Sequence, residues 1–230
     1  MNEIPQERIA PWAAARSIFG ASAVLSELDG KTQKLEPKLL SGDRIAIGRR
    51  GLTFRHDSLL QAIERGFSMP ELFPMLRNPL SAIEAIGTLK RIARHYDPTR
   101  VERGTLLVVL RAGLEALTVY LNHHPSFHGL FSDSSDELIT FNLADSGVLG
   151  WLSRSSDGLF SAGTEPVSGQ PSVKLTFLSH DLAFEAILNG VDQLGATAAG
   201  EVMIQGRIPL MDKIGYVSRF ALREVPKPTL

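Results

Sequence analysis

The stretch Leu138-Ile139-Thr140-Phe141-Asn142-Leu143-Ala144-Asp145-Ser146-Gly147 opens the part of the chain whose reading decides the fold, Leu138 to Arg223. Leu138, Thr140 and Asn142 alternate with Ile139, Phe141 and Leu143, the period of a β-strand. Asp145-Ser146-Gly147 turns the chain, and Val148 to Ser153 continues as a second strand. Ser156-Asp157-Gly158 makes the next turn, before a third strand from Leu159 to Gly163. A Pro/Gly-rich connection from Glu165 to Pro171 follows. Val173, Leu175 and Phe177 then alternate with Lys174, Thr176 and Leu178 in a fourth strand. Ser179 caps a helix that runs to Gly190, with Leu182, Ala183, Ala186 and Ile187 on its apolar face. Glu201 to Gln205 reads as a fifth strand, and Gly206 precedes a closing helix from about Pro209 to Leu222.

This order of elements resembles the sterol carrier protein type 2 domain, the sterol-binding or non-specific lipid-transfer fold. The matching residues are Leu138–Leu143 with the turn Asp145-Ser146-Gly147, Trp151 in the second strand, and Ser156-Asp157-Gly158. Pro171-Ser172-Val173-Lys174-Leu175-Thr176-Phe177 resembles the strand that enters the helix carrying Asp181, Phe184 and Leu188. Gly200-Glu201-Val202-Met203-Ile204-Gln205-Gly206 followed by an apolar helix resembles the family's ending. Pro209 departs from it, because it starts the last helix differently. The resemblance covers roughly residues 105–225 and implies an α+β fold: a five-stranded sheet covered by helices, with an apolar tunnel between them.

The N-terminal half has no counterpart in that resemblance. Pro11 to Leu28 is a helix candidate, with Gly30 beyond its end, and Lys31 to Gly42 reads as a polar loop. Alternation on both sides of Gly48-Arg49-Arg50-Gly51 predicts a small hairpin over 44–55. Asp57 or Ser58 caps a helix carrying Leu59, Leu60, Ile63 and Phe67. Ser68-Met69-Pro70-Glu71 has the spacing of a capping box, and Asn78-Pro79 opens a further helix. Leu106 to Leu121 is apolar nearly all round, which argues for burial between other elements. The expected organisation is a mainly helical region over 1–104 and a ligand-binding domain over 105–230.

Composition narrows the class of function. With 43% hydrophobic and 21% charged residues, the chain has the make-up of a soluble globular protein. It contains no cysteine, which excludes a thiol nucleophile and a thiolate metal site and fits a cytoplasmic location. No secretory leader is expected at the N-terminus, and no transmembrane helix, since no run of about 18 apolar residues is present. Residues 1–125 hold 17 Lys+Arg against 13 Asp+Glu, while residues 126–230 hold 7 against 12. Two complementary surfaces explain this division, and so does a weakly basic face for an anionic membrane or ligand. No dense basic stripe with interleaved aromatics is present, so nucleic acid is not an expected partner.

No catalytic motif stands out, and no cofactor is implied. His123, His124 and His128 have the wrong spacing for a helical metal face, with Pro125 between them. His180, Asp181 and Glu185 sit at a helix start, where acidic groups satisfy the dipole. The serines at 153, 155 and 156 lie in no nucleophile elbow. The resemblance places candidate ligand contacts at Trp151, Phe184, Ile187, Leu188, Met203, Leu210, Met211, Ile214, Val217 and Phe220. For each of these, plain core packing is the competing explanation.

The expected function is that of a non-catalytic carrier or accessory protein. It would hold a lipid, sterol, isoprenoid or quinone precursor and present it to partner enzymes, with at most peripheral membrane contact. One alternative is an enzyme that uses the tunnel as a reaction chamber for cyclisation or isomerisation. A polar residue with a perturbed pKa inside the tunnel would mark it. A protein-interaction scaffold is the other.

Overall fold

The computed structural model describes residues 4–48, 52–65, 70–133, 136–190 and 193–228. The tip of the expected hairpin, Arg49-Arg50-Gly51, lies outside the described residues, as do Phe67, Ser68 and Met69. The fold is α+β. A helix α1 (Ile9–Asp29) is followed by strands β1 (Pro37–Leu39), β2 (Arg44–Ile47) and β3 (Leu52–Arg55). Helices α2 (His56–Arg65), α3 (Leu72–Arg77), α4 (Pro79–Arg94) and α5 (Arg103–His123) complete the N-terminal part. Strands β4 (Glu137–Leu143), β5 (Gly147–Arg154), β6 (Phe160–Gly163) and β7 (Val173–Phe177) follow. The chain ends with α6 (His180–Asn189), α7 (Gln193–Ala198), β8 (Val202–Gly206) and α8 (Ile208–Glu224).

β4 to β8 form one five-stranded mixed sheet in the order β6-β5-β4-β7-β8. β4 lies at its centre, antiparallel to β5 and parallel to β7, with Phe141 beside Leu175 and Leu143 beside Phe177. Ile139, Phe141 and Leu143 of β4, with Val173, Leu175 and Phe177 of β7, project apolar side chains into a core shared with α5, α6 and α8. Ser179 caps α6 by accepting a hydrogen bond from the Leu182 N–H. Tyr120 donates to Glu224 Oε2 at 2.8 Å and ties α5 to the end of α8.

The smaller sheet is antiparallel with the order β1-β2-β3. The hairpin over 44–55 is present, and it gains a third strand where a polar loop is expected. Lys38 pairs with Ala46, and Glu36 accepts the Gly48 N–H at 2.9 Å. Ile45, Ile47, Leu52 and Phe54 bury their side chains against Ile18, Val24 and Leu25 of α1 and Ala82 and Ile92 of α4. α1 and α5 lie against each other and supply residues to both apolar groups: Ala13 and Leu106 to one, Ala15 and Val108 to the other.

Three further details differ from the expected pattern. Glu71 occupies the N-cap of α3 without a side-chain cap bond, so it does not close a box as the third helical residue. The helix expected to start at Asp57 or Ser58 begins at His56, whose N–H bonds the Asp43 carbonyl at 2.9 Å. α5 is long and apolar enough to cross a membrane by length and composition, although 78% of its apolar window is buried among other elements.

Candidate functional site

α5 contributes several small side chains to the lining of a cavity. Ala112, Gly113 and Ala116 recur at helical spacing and present little volume where larger side chains would fill the interior. The cavity is about 580 Å³, inside the roughly 300–1,000 Å³ range of ligand sites. Phe141, Leu175 and Phe177 of the larger sheet face it, as do Ile187 and Leu188 of α6 and Met211 and Ile214 of α8. The N-terminal half supplies Phe54 of β3, Ile63 of α2, Ile86 and Leu89 of α4, and Tyr96 just beyond α4. The cavity is therefore bordered by both apolar groups of the molecule.

Few polar groups reach the lining. They are Ser17, Lys90, Tyr96, Ser218, Arg219 and Lys227, and no carboxylate is among the described lining residues. Three cations without a carboxylate bias the cavity toward an acidic or electron-rich group. Lys227 donates to Asn189 Oδ1 at 2.5 Å, and burial holds its ammonium below the usual lysine range. Burial pushes the Tyr96 phenol well above the ordinary tyrosine range, so the hydroxyl stays protonated. That hydroxyl has no hydrogen-bond partner among the described residues. It is a donor without a protein partner, on a half-buried residue that lines the cavity.

The expected ligand contacts fall into two groups. Ile187, Leu188, Met211 and Ile214 line the cavity. Trp151 does not. Its neighbour Gly150 points at Leu110 and Leu114 of α5, so strand alternation turns Trp151 to the opposite face. There the indole lies across Gly163, where an added Cβ would come within 2.4 Å of the ring, and donates to the Glu165 carbonyl at 3.0 Å. Met203 is outward on β8, while its neighbour Val202 faces the cavity. Phe184, Leu210 and Val217 are buried in the core of the larger sheet. Phe220 packs edge-on against Tyr120, His124 and Phe127. The contribution of the N-terminal half is absent from the expected set, as is Tyr96.

A second cavity of about 370 Å³ has a different chemistry. Glu115, buried in α5, sits between Arg16 of α1 and Arg111, whose Nη2 is 2.9 Å from Glu115 Oε1. Arg111 also faces Glu165 at 3.3 Å. Two cations meet two carboxylates, so the network neutralises itself and joins α1, α5 and the end of β6. Asn122 exchanges two hydrogen bonds with the backbone of Phe160, at 2.9 and 2.8 Å. Among the described residues no group of three His, Asp or Glu side chains is placed to hold a metal ion. His124 instead packs its ring against Tyr120 and Phe127 and accepts the Ser126 N–H.

No protein-family model matches this chain, and no curated protein matches it in sequence. Three solved structures of sterol carrier protein type 2 domains resemble about half of it. The "UbiJ-SCP2 Ubiquinone synthesis protein" is 15% identical, with 50% of this chain and 96% of that chain covered and a TM-score of 0.40. The sterol carrier protein domain 2 of Helicoverpa armigera is 15% identical, covering 50% and 89%, with a TM-score of 0.37. The apo form of sterol carrier protein 2 from Yarrowia lipolytica is 16% identical, covering 47% and 89%, with a TM-score of 0.27.

Proposed function

We propose that the protein binds a long apolar ligand in the central cavity and acts as its carrier or accessory protein. The observation that carries this reading is the cavity of about 580 Å³ lined by aliphatic and aromatic side chains. An ordinary core is packed to crystal-like density and holds few voids larger than a water molecule. An apolar space of this size that opens to solvent keeps its lining wetted until an apolar ligand displaces that water. Each buried methylene of a ligand contributes about 0.8 kcal/mol. About ten of them gain on the order of 8 kcal/mol, comparable to the cost of immobilising the ligand. Short chains are therefore not retained and long ones are. Ile187, Leu188, Met211 and Ile214 contact the chain in this reading. Lys90, Arg219 and Lys227 favour an acidic head group over a neutral sterol. Native mass spectrometry of the purified protein, with solvent extraction and lipid mass spectrometry, tests the reading. A stoichiometric apolar adduct is expected. A protein that is empty and takes up no fluorescent fatty acid overturns it.

A reaction chamber is the second reading, and Tyr96 is the observation that raises it. The raised pKa makes the phenol a poor acid and disfavours the phenolate. Its role is to donate a hydrogen bond to a ligand oxygen. Recovery of the same unaltered ligand after prolonged incubation favours the carrier; a product that accumulates only with Tyr96 intact favours the chamber.

A further inference from the structure

α3 and α4 carry a surface that the interior does not explain. Leu72, Phe73 and Leu76 of α3 are 57%, 78% and 77% exposed, and Leu80 and Ile83 of α4 are 77% and 66% exposed. Isolated exposed leucines are ordinary, but five large apolar side chains within twelve residues form a patch that marks an interaction site. On α4 the exposed positions are Pro79, Leu80, Ile83, Glu84, Gly87, Lys90, Arg91 and Arg94. These recur at the helical period and share one face. That face is apolar at the start of the helix and cationic at its end. Arg91 is paired with Asp29 and Glu71 with Arg44. Arg77, Lys90 and Arg94 have no ion-pair partner among the described residues, and Glu84 is the lone carboxylate on this face of α4.

We propose that the α3–α4 face docks on an anionic lipid bilayer, with Phe73, Leu76 and Ile83 entering the boundary between head groups and acyl chains and Arg77 and Arg94 against lipid phosphates. Two observations favour a bilayer over a protein or a second copy. Exposed Leu, Phe and Ile beside unpaired Arg and Lys, with Glu84 the one carboxylate of α4, is the pattern of an interfacial helix on anionic lipid, and the net positive charge of this face disfavours pairing with a second copy of itself. The back of the same helix, at Ile86, Leu89 and Ala93, lines the apolar cavity. A ligand leaving past α4 would meet apolar side chains that are already in lipid. The docking rests on the ligand-binding reading only for its purpose.

Flotation of the full chain with vesicles tests it, using phosphatidylcholine alone and phosphatidylcholine mixed with phosphatidylglycerol. The expected result is binding to the mixed vesicles that weakens as salt screens the charges. The triple variant F73S/L76S/I83S loses about tenfold or more of that binding. The pair R77Q/R94Q loses binding to mixed vesicles while any weak binding to phosphatidylcholine is unchanged. None of these five residues lines the cavity. Uptake of a fluorescent fatty acid in solution therefore reports the fold and the ligand-binding reading separately. Wild-type protein that floats with neither vesicle overturns the proposal, as does a triple variant that floats like wild type. A dimer in sedimentation that the triple variant dissolves, without vesicle binding, overturns it in favour of a second copy. Capture of one specific protein through this face, with no flotation, overturns it in favour of a protein partner.

Discussion

In α1, a Cβ added at Gly20 would come within 2.7 Å of Glu115 Cγ and 2.9 Å of the Arg111 carbonyl oxygen. A Cβ added at Gly113 in α5, which lines the cavity, would meet only Ile187 Cγ2, 3.9 Å away. Glycine in a helix interior costs about 1 kcal/mol relative to alanine, so alanine at either site gains that much intrinsically. At Gly20 overpacking opposes the gain with about 1–3 kcal/mol, because a backbone carbonyl cannot swing aside. Gly20→Ala is therefore expected to lower stability by up to about 2 kcal/mol, seen in urea unfolding as a lower midpoint at unchanged slope. A higher midpoint would show that α1 is not held against α5 at this distance. Gly113→Leu has the opposite sign: stability holds or rises by about 1 kcal/mol while fatty-acid uptake falls about tenfold or more. Uptake at the wild-type level would place the ligand elsewhere. Neither role is legible in the sequence, where Gly20 only weakens a helix. Tyr96 is equally silent there, since a single tyrosine before Asp97-Pro98 looks like an ordinary helix end and nothing shows that its ring closes a cavity.

Helix ends show which elements the chain announces locally. Gly30 is expected beyond α1 and stands at its C-cap with φ of +64°, which glycine adopts without strain. Next to it Asp29 accepts the Lys31 N–H at 2.9 Å, the Thr32 N–H at 2.8 Å and the Thr32 hydroxyl at 2.5 Å. The Thr32 hydroxyl, and then these backbone bonds, lower the Asp29 pKa from 3.8 to about 2. The folded state thus releases this proton more readily than the unfolded chain does. Its contribution is complete above the unfolded pKa and is lost as pH falls through about 2. Asp29→Asn is expected to lower the melting temperature at pH 7, with a difference that shrinks between pH 4 and pH 2. A difference independent of pH would assign the effect to side-chain shape rather than to the Asp29 charge, whose pairing with Arg91 titrates in the same window. Where the chain gives no local signal, an element escapes notice. β1 has three residues, Pro37-Lys38-Leu39, too few for an alternating period, and exists because it pairs with β2. α7 has six residues with Gly195 among them and no apolar stripe. The strands of the larger sheet were legible because alternation and turn residues repeat along them, from Leu138 to Phe177.

At the scale of the molecule, the cavity is where sequence reading stops. Its walls are amphipathic faces of β3, α2 and α4 set against α5, α6 and α8. Each face is visible alone, but that residues as distant in sequence as Phe54 and Ile214 border one cavity is not. The same joint construction gives a quantitative expectation for binding. A wall lined by both halves must treat an alkyl chain as one apolar solute, so affinity should follow the chain length of the ligand. At about 0.8 kcal/mol per methylene, each added CH₂ lowers Kd about fourfold. The trend should level off once the cavity of about 580 Å³ is full, after which further carbons remain in water. Fatty acids of increasing length, titrated by calorimetry, read both the slope and the plateau. Their methyl esters should bind a few-fold more weakly at low salt and converge with the acids at high salt, because Lys90 and Arg219 are exposed and their attraction is screened. A slope near zero would mean that the chain stays outside and only the head group is held. Burial of the chain predicts a slope before a plateau, whereas adhesion through the cations predicts salt dependence with no dependence on length.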